Sequence, residues 1–247
     1  MPQTNDVPTV LIAGGSSAAG VATAAALLAA GMRVLTVGSD AGRIGAAAAA
    51  ATERAAAARA AAGQPGAAAA VPLVCDLADR ADVERLAVDI HRDFGPIDGL
   101  VQLVGGWRGG KGIVEQSDED WDVLHRNVVT TLRNTSRTFY PDLAGSPAGR
   151  LAIVSSTSVT APTAGNANYA AAKAAAEAWT QSVAQGLAGG PGAAVVLVVK
   201  ALVDDGMRAA APERSFPGFT DVADLARAVA GLFSQPAEAI NGARILL

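Results

Sequence analysis

The sequence contains a single cysteine, few aromatic residues and no long apolar run, and each shortage excludes a class of protein. Cys75 has no second cysteine with which to form an internal disulfide. The Ala-rich stretches are interrupted by Thr, Arg, Glu or Gly before they reach the roughly 20 apolar residues that a membrane span requires. A net charge of −4 and a pI near 5.2 argue against nucleic acid or a membrane surface as a partner.

The chain also lacks a basic segment leading into an apolar one at its start, MPQTNDVPTV, so we expect a cytoplasmic protein. Hydrophobic residues make up 51% of the chain and aromatic residues only 4%, so alanine and valine must build the core. That composition favours close helix packing in a layered α/β protein. The length of 247 residues predicts one large domain, 1–247.

A short β-branched run at 9–13 is followed by a glycine-rich turn, 14–20, and then by an apolar helix-forming segment. Glycines at such a turn let the backbone approach a pyrophosphate, and the helix amino terminus supplies free N–H groups to hold it. From this motif alone, a glycine-rich turn without a ligand remains the alternative.

Strand-like and helix-like segments alternate along the rest of the chain. The predicted strands are 33–37, 71–75, 98–104, 151–155, 194–199 and 243–247, and the predicted helices are 41–62, 79–94, 117–142, 170–187 and 221–233. This alternation predicts a Rossmann-type, doubly wound parallel sheet of about seven strands in a three-layer αβα sandwich.

The stretch from Ser156 to Lys173 carries the residues best suited to chemistry. Tyr169 and Lys173 are four residues apart in a helix-forming segment, so their side chains share one helical face. A nearby ammonium favours phenolate and lowers a tyrosine pKa from its usual value of about 10. Ser156 follows a predicted strand and therefore lies at the carboxyl end of the sheet. The alternative for the Tyr-Lys spacing alone is an exposed amphipathic pair.

The strand before Ser156, the spacing of 13 residues to Tyr169, the wording A-N-Y-A-A-A-K and the glycine-rich amino terminus together resemble the short-chain dehydrogenase/reductase family. The resemblance covers nearly the whole chain. It implies an NAD(P)-dependent oxidoreductase that transfers a hydride between a nicotinamide and a small-molecule carbonyl or alcohol.

The resemblance also implies roles for individual residues. Tyr169 is the general acid/base, Ser156 hydrogen-bonds the substrate oxygen, and Lys173 lowers the tyrosine pKa and holds the nicotinamide ribose. Asn127, in the predicted helix 117–142, completes the proton relay. The implied cofactor-binding residues are Gly14, Ser16, Ser17, Ala19, Gly20, Ser39, Asp40, Asp76, Leu77, Gly105, Tyr169 and Lys173, and no metal ligand is implied. Asp76 has a second interpretation, as the cap of helix 79–94.

Three places depart from the family pattern. Ala18 stands at the middle glycine of the turn, Gln102-Leu103-Val104 replaces N-N-A before Gly105, and Ala201-Leu202 stands where Pro-Gly is usual. From Ala18 we expect weak cofactor binding, with dissociation constants nearer about 100 μM than 1 μM. The departures keep open a non-catalytic dinucleotide sensor. A sugar-nucleotide epimerase would need a substrate domain larger than the segment 207–219.

The form of the cofactor depends on the end of the second strand, where an acid binds the NAD ribose and a base accommodates the NADP phosphate. Asp40 comes two residues after the family's acid position, which aligns with Gly38. Ser17 replaces the basic residue of many NADP-using relatives, and Arg43 is equally suited to a phosphate or to solvent. The balance favours NAD over NADP.

The glycine-rich loop 105–117 is predicted to line the substrate cleft, where Arg108 and Lys111 would meet a substrate anion, or else to be a flexible solvated loop. Cys75 is expected in the core, His91 in solvent and His125 away from the chemistry.

A homodimer or homotetramer is expected through two helices. The predicted contact residues are Ala170, Ala174 and Ala178 on one helix and Trp121, Leu124, Val128 and Leu132 on the other.

Overall fold

The computed structural model describes residues 7–247. Its strands are β1 Thr9–Ala13, β2 Arg33–Gly38, β3 Val71–Val74, β4 Gly99–Gln102, β5 Arg150–Ser156, β6 Ala193–Val199, β7 Leu202–Val203, β8 Thr220–Asp221 and β9 Arg244–Leu246. Its α-helices are α1 Ala18–Ala29, α2 Ala41–Ala61, α3 Arg80–Phe94, α4 Asp118–Leu124, α5 Thr131–Gly145, α6 Ala167–Leu187, α7 Asp205–Ala210, α8 Val222–Gly231 and α9 Ala237–Ile240.

Within residues 7–247, seven strands form one parallel sheet in the order β3-β2-β1-β4-β5-β6-β9. This confirms the predicted Rossmann-type fold. The strand order reverses between β1 and β4, and the carboxyl ends of the strands on either side of that point form a natural crevice for a ligand.

Alternate residues of the strands belong to separate hydrophobic clusters, one on each face of the sheet. Leu11, Leu35, Leu100 and Leu151 are neighbours in register and pack with α3, α5 and α6. Residues one position away, such as Val10 and Val101, pack with α1, α2 and α8 on the opposite face. Burial of both faces explains why these strands are continuous apolar runs.

The helix predicted at 117–142 extends to Gly145 and contains a change of winding. A π-helical segment, His125–Thr130, separates α4 from α5. Such π turns are rare and occur often at functional sites. No helix in the described part of the chain is both long and apolar enough to cross a membrane.

Two features on the periphery differ from expectation. His91 is not merely solvated, because its Nε2 lies 2.7 Å from an Asp142 carboxylate oxygen and its ring packs edge-on against Phe139. The segment 207–219 is preceded by β7, which pairs with β8 in a small second sheet that the sequence did not predict. This ladder ties the two ends of the segment together.

Most of the residues proposed for subunit contact are unavailable for it. Leu124, Val128, Leu132 and Ala170 are buried within the protein itself, and Ala174 is half-buried. The apolar spacing that suggested a contact surface is that of the helix face against the sheet. Trp121 and Ala178 are exposed, so a homo-oligomer stays a prediction with a smaller predicted contact.

Candidate active site

Two adjoining cavities lie at the carboxyl edge of the sheet. The larger cleft has a volume of about 820 Å³ and is lined by residues that follow β1 to β4 and by the π-helical segment. The smaller cavity, of about 370 Å³, lies among the ends of β5 and β6, the first turns of α6 and parts of the segment 200–219. Leu103, Gly105 and Gly106 line both, so the two cavities are halves of one depression.

The glycine-rich turn after β1 brings backbone N–H groups to the larger cleft. Gly14 has a φ of +83°, and a Cβ there would lie 2.8 Å from the Val104 nitrogen, so the position requires glycine. Ser17 caps α1, and its Oγ accepts a hydrogen bond from the Gly20 nitrogen at 3.0 Å. A Cβ at Gly20 would lie 2.5 Å from the Gly15 oxygen, so this glycine lets the helix start close to the turn.

The side chains of this turn divide between the cavities. Ser16 and Ser17 line the larger cleft, and Ala19 lines the smaller cavity. Ala18 is exposed and lines neither. The expectation that its methyl group narrows the turn therefore has no contact in the structure to support it.

The end of β2 presents a cation to the larger cleft. Gly38, Ser39 and Arg43 line the cleft. Asp40 does not line it, because this residue caps α2 and its Oδ1 accepts a hydrogen bond from the Arg43 nitrogen at 2.7 Å. Asp40, the residue on which the preference for NAD was based, therefore acts as a helix cap.

Beyond β3, Asp76 and Leu77 line the cleft. An Asp76 carboxylate oxygen lies 2.6 Å from a guanidinium nitrogen of Arg126, in the π-helical segment. Helix α3 is capped by Asp79, whose Oδ1 accepts a hydrogen bond from the Ala81 nitrogen at 2.8 Å. The interpretation of Asp76 as that cap is therefore wrong, and its side chain belongs to the wall of the cleft.

Cys75 and His125 lie near the cleft without chemistry of their own. Burial, reinforced by the Asp82 carboxylate, raises the pKa of the Cys75 thiol to about 12, so no thiolate forms at neutral pH. The His125 ring packs against Trp121, with the centroids 5.8 Å apart. It lines neither cavity.

Asn127 lies in the π-helical segment and lines the larger cleft. Its backbone oxygen accepts a hydrogen bond from Thr131 Oγ1 at 2.6 Å. Asparagine is a poor helix-interior residue, and its position here coincides with the local change of winding. The helix is therefore distorted at the residue that the family resemblance assigns to the proton relay.

Ser156, Tyr169 and Lys173 line the smaller cavity together. Ser156 is the last residue of β5, and its Oγ accepts a hydrogen bond from the Ser158 nitrogen at 3.1 Å. Tyr169 lies in the first turn of α6 and lines the same cavity as Ser156. Lys173 follows one turn later, where its Nζ lies 5.9 Å from the tyrosine ring centroid and donates to the Val154 carbonyl at 2.8 Å.

Burial dominates the protonation of this group. It raises the pKa of the Tyr169 phenol, and the Ser156 side chain in the same cavity acts in the opposite direction. It lowers the pKa of the Lys173 ammonium to about 8, against the attraction of the Glu177 carboxylate. Lys173 is not among the groups that shift the Tyr169 pKa, and its ammonium donates to the Val154 carbonyl.

A sequence profile of the family described as short chain dehydrogenase matches residues 8–215. The chain belongs to the short-chain dehydrogenase family. The match includes the glycine-rich turn and all residues of the proposed Ser-Tyr-Lys-Asn centre. Oxidoreductase character and a nicotinamide cofactor are the properties that membership supports.

Curated relatives in the family are moderately similar. The chain is 30% identical over 182 residues to the 3-oxoacyl-acyl-carrier-protein reductase FabG of Salmonella typhimurium, which covers 69% of this chain and 72% of that protein. It is 33% identical over 113 residues to the 2,3-dihydro-2,3-dihydroxybenzoate dehydrogenase of Bacillus subtilis, which covers 46% and 43% of the two chains.

Solved structures of dehydrogenases share the fold. A short chain oxidoreductase of Pseudomonas aeruginosa, described as having an atypical catalytic centre, superposes with a TM-score of 0.82 at 22% identity over 97% of this chain and 95% of that one. An NAD⁺-bound xylitol dehydrogenase superposes with a TM-score of 0.79 at 18% identity over 99% of both chains. Another structure of the Pseudomonas protein is NADPH-bound.

One departure from the short-chain dehydrogenase pattern has a clear packing role. Gln102 is buried at the end of β4, and its amide nitrogen donates to Thr131 Oγ1 at 2.8 Å. Its amide oxygen accepts from Thr135 Oγ1 at 3.1 Å. Gln102 therefore joins the sheet to α5 through a satisfied buried polar network.

The cations predicted for the substrate loop are elsewhere. Arg108 forms an ion pair with Asp120 at 3.4 Å, and neither Arg108 nor exposed Lys111 lines a cavity. Lys200, which the sequence analysis left without a role, lines the smaller cavity. Its position directly after β6 was the available signal, because active-site residues of these sheets follow the carboxyl ends of strands.

Proposed function

We propose that this protein is an NAD(P)-dependent oxidoreductase that interconverts a carbonyl compound and its alcohol. The observation that carries the proposal is the meeting of Ser156, Tyr169 and Lys173 in one cavity that opens into the cleft formed by the glycine-rich turn. A general acid and a cation on adjacent helical turns, beside a hydroxyl donor, suit proton transfer to a carbonyl oxygen.

The residues that surround the larger cleft fit a dinucleotide. Gly14 lines the cleft at a position that admits no side chain, and α1 presents its amino terminus beside Ser16 and Ser17. Gly105 lines both cavities, and a Cβ there would be in ordinary contact with Lys173 Nζ, at 3.7 Å. The residues proposed to hold the cofactor are Gly14, Ser16, Ser17, Ala19, Gly20, Ser39, Arg43, Asp76, Leu77, Gly105, Tyr169 and Lys173.

When bound, the nicotinamide supplies or accepts the hydride. The chain's own contribution is to orient the substrate and move the proton. Tyr169, whose pKa is raised, keeps its proton at neutral pH and can give it to a carbonyl oxygen. Ser156 donates a second hydrogen bond to that oxygen, and Lys173 compensates the negative charge left on the phenolate. The retained proton makes reduction the direction to assay first.

Asn127 completes the proposed relay through the backbone distortion that it shares with the π-helical segment. Its hydrogen bond with Thr131 fixes the helix at the floor of the larger cleft. We propose that this distortion gives water a path to the Lys173 ammonium.

We propose NADP(H) as the preferred cofactor, in place of the NAD that the sequence favoured. Arg43 lines the cleft beside Ser39 at the end of β2, whereas Asp40 is occupied in capping α2. A guanidinium at this place suits a 2′-phosphate, with which it can form charge-assisted hydrogen bonds. Arg43→Gln should weaken NADPH binding by about 10-fold and NADH binding by less than about twofold.

Fluorescence titration with NADPH and NADH in the wild type, Arg43→Gln and Asp40→Ala decides this point. Asp40→Ala tests the alternative that Asp40 binds the NAD ribose. NADH binding that is weakened in Asp40→Ala and unchanged in Arg43→Gln would favour NAD. Equal dissociation constants for the two cofactors in all three proteins would contradict both assignments.

Carbonyl reduction itself is tested with Tyr169→Phe. A panel taken from the names of the relatives identifies a substrate for the wild type, with 3-oxoacyl thioesters for reduction and with 2,3-dihydro-2,3-dihydroxybenzoate and xylitol for oxidation. Tyr169→Phe should then lower turnover by about 100-fold or more while leaving cofactor affinity nearly unchanged.

The chain offers a matched control, because its other tyrosine, Tyr140, lies outside both cavities and donates to the Gly186 carbonyl at 2.7 Å. Tyr140→Phe should keep full turnover. Undiminished turnover in Tyr169→Phe would exclude the proposed acid, and cofactor binding without turnover of any compound would indicate a dinucleotide sensor.

A further inference from the structure

The three lysines of the chain occupy different surroundings. Lys173 belongs to the proposed catalytic group, and Lys111 is exposed on the loop 105–117 outside both cavities. Lys200 directly follows β6 and lines the smaller cavity. The proposed chemistry of carbonyl reduction makes no use of this third lysine.

The ammonium of Lys200 has only neutral partners. Its Nζ donates to the Pro217 carbonyl at 3.1 Å and lies 5.9 Å from the Phe219 ring centroid. Among residues 7–247, no carboxylate oxygen lies within 4.0 Å of it. The walls of the cavity contain no acidic residue in this described range either. A lysine has three N–H donors, so Lys200 retains donors and an uncompensated charge.

The wall of the smaller cavity also contains three large apolar side chains. Trp107, Met207 and Phe219 line it, and the first two have 64% and 38% of their surface exposed. Large exposed apolar side chains beside a cation are typical of a site that covers a ligand with an apolar body and one charged group. Ser156 and Tyr169 provide the polar wall for the carbonyl.

We infer that the substrate is a carbonyl compound, or its alcohol, that bears a carboxylate paired with Lys200. The inference rests on the proposed function and adds the substrate class. Lys173, the other cation of the cavity in the described chain, is used by the proposed chemistry at Tyr169 and the cofactor. Among the described residues that line the cavity, Lys200 is therefore the one cation left for the substrate, which matches a monoanionic carboxylate better than a phosphate dianion. The apolar wall accommodates an aryl or alkyl body between the carbonyl and the carboxylate.

Two other roles for Lys200 are possible, and each predicts a different experimental result. Its Nζ could contact an anionic group of the cofactor, which would make it a cofactor residue. It could also simply hold the segment 207–219 in place, since its Cδ lies 3.5 Å from the Cβ position of Gly218 and its Nζ binds the Pro217 carbonyl. A test must separate these roles from recognition of the substrate.

The experiment compares a matched pair of ketones, 4-acetylbenzoate and its methyl ester, with NADPH as the reductant. The ratio of kcat/KM for acid over ester is measured in the wild type, Lys200→Gln, Lys200→Arg and the control Lys111→Gln. We expect the wild type to favour the acid by about 10-fold or more at low salt. The preference should decline between 0.05 and 0.5 M NaCl, because ions screen a partly exposed pair.

Lys200→Gln should abolish the preference for the acid, Lys200→Arg should retain it in part, and Lys111→Gln should leave the ratio within about twofold. Wild-type preference for the ester, or an unchanged ratio in Lys200→Gln, would overturn the inference. A fall in NADPH affinity of about 10-fold in Lys200→Gln with an unchanged ratio would assign the lysine to the cofactor. Equal losses for acid and ester would assign it to the segment 207–219.

Failure of the inference is distinguishable from failure of the proposed function. Reduction of both ketones without an acid preference contradicts only the carboxylate. If neither ketone is reduced, calorimetric titration of 4-acetylbenzoate and of its ester into the protein with NADP⁺ still decides the point. Tighter binding of the acid that is lost in Lys200→Gln supports the inference, and equal binding overturns it.

Discussion

Two buried cations lie at opposite ends of the same strand, β5. Arg150 is its first residue and has 5% of its surface exposed, while Lys173 lies beside Val154 near its last residue and is 8% exposed. The Arg150 guanidinium donates to four backbone carbonyls, those of Gly149, Pro191, Leu232 and Gln235, at 2.7–3.1 Å. Lys173 donates to one carbonyl and faces a cavity.

The difference between these two cations separates a structural charge from a functional one. Burial lowers the pKa of both groups, but an arginine remains charged under all ordinary conditions. Lys173, with a pKa of about 8, changes charge within the working pH range and has donors left for a ligand. The buried cation at the amino end of the sheet thus binds four backbone carbonyls. The buried cation at the carboxyl end binds one and keeps N–H donors for a ligand.

Replacing Lys173 should give the largest effect on activity. Lys173→Met removes the charge and the N–H donors but keeps a similar apolar volume, so turnover should fall by about 100-fold or more. Stability should not fall with it, because the buried ammonium is disfavoured in the folded protein. We expect an unfolding free energy no more than about 1 kcal/mol below that of the wild type.

The pH dependence of stability checks the same variant. In the unfolded chain Lys173 stays protonated up to its ordinary pKa of 10.5, whereas in the folded protein it loses its proton near pH 8. The unfolded state therefore binds more protons between about pH 8 and 10, and the stability of the wild type gains a rising contribution over that window. Urea unfolding should show that rise in the wild type and a smaller one in Lys173→Met. Identical slopes would contradict the assigned pKa.

Replacing Arg150 should have the opposite outcome. Arg150→Met leaves several buried carbonyl oxygens without their donors, which should lower the unfolding free energy by about 2–4 kcal/mol. Turnover per folded molecule should be unchanged, because the site is at the other end of the sheet. Arg85→Met is the control, since its ion pair with Asp82 is exposed and should contribute less than about 1 kcal/mol.

An unfolding midpoint in urea that is equal for Arg150→Met and Arg85→Met would show that the four carbonyls find other partners. A loss of turnover in folded Arg150→Met would show that the two ends of β5 are coupled. Either result would contradict the assignment of Arg150 to structure and of Lys173 to function.

The fold was predictable because apolar strands, glycine turns and helix-forming segments alternate clearly along the chain. The Ser156, Tyr169 and Lys173 group was likewise predictable, since strand ends and helical spacing determine which side chains can meet. Contacts that depend on three-dimensional packing could not be predicted from the sequence. The position of Lys200 after a strand does not reveal its contacts with Pro217 and Phe219. The carbonyls around Arg150 come from segments far apart in the chain.

Acidic residues near helix starts have two possible roles. Asp40 was interpreted as a cofactor ligand and Asp76 as either a ligand or a helix cap, and only geometry could separate these roles. Asp40 caps α2, whereas the neighbouring Asp79 caps α3 and leaves Asp76 in the cleft. The buried face of α4 and α5 was similarly mistaken for a subunit contact, because the same apolar spacing serves a core and an interface.

The smallest predicted effect concerns the charge next to Lys173. Glu177 lies one turn after Lys173 on α6, where its carboxylate accepts hydrogen bonds from Ser155 Oγ at 2.5 Å and from Arg244 Nε at 3.0 Å. Its charge favours the ammonium form and raises the pKa of Lys173 against the effect of burial. Glu177→Gln keeps the shape and removes that charge, so the pKa of Lys173 should move below about 8.

In the reduction direction, the alkaline limb of the kcat/KM profile should therefore move to lower pH in Glu177→Gln, with little change of turnover at pH 6. A lysine that loses its proton earlier compensates the phenolate of Tyr169 over a narrower pH range. Glu84→Gln is a matched control, because Glu84 pairs with Arg80 on the exposed surface of α3 and should leave the profile unchanged. If Glu177→Gln lowers turnover equally at every pH, Glu177 only holds Arg244 and β9 in place. In that case the charge of Lys173 would be maintained by the site itself.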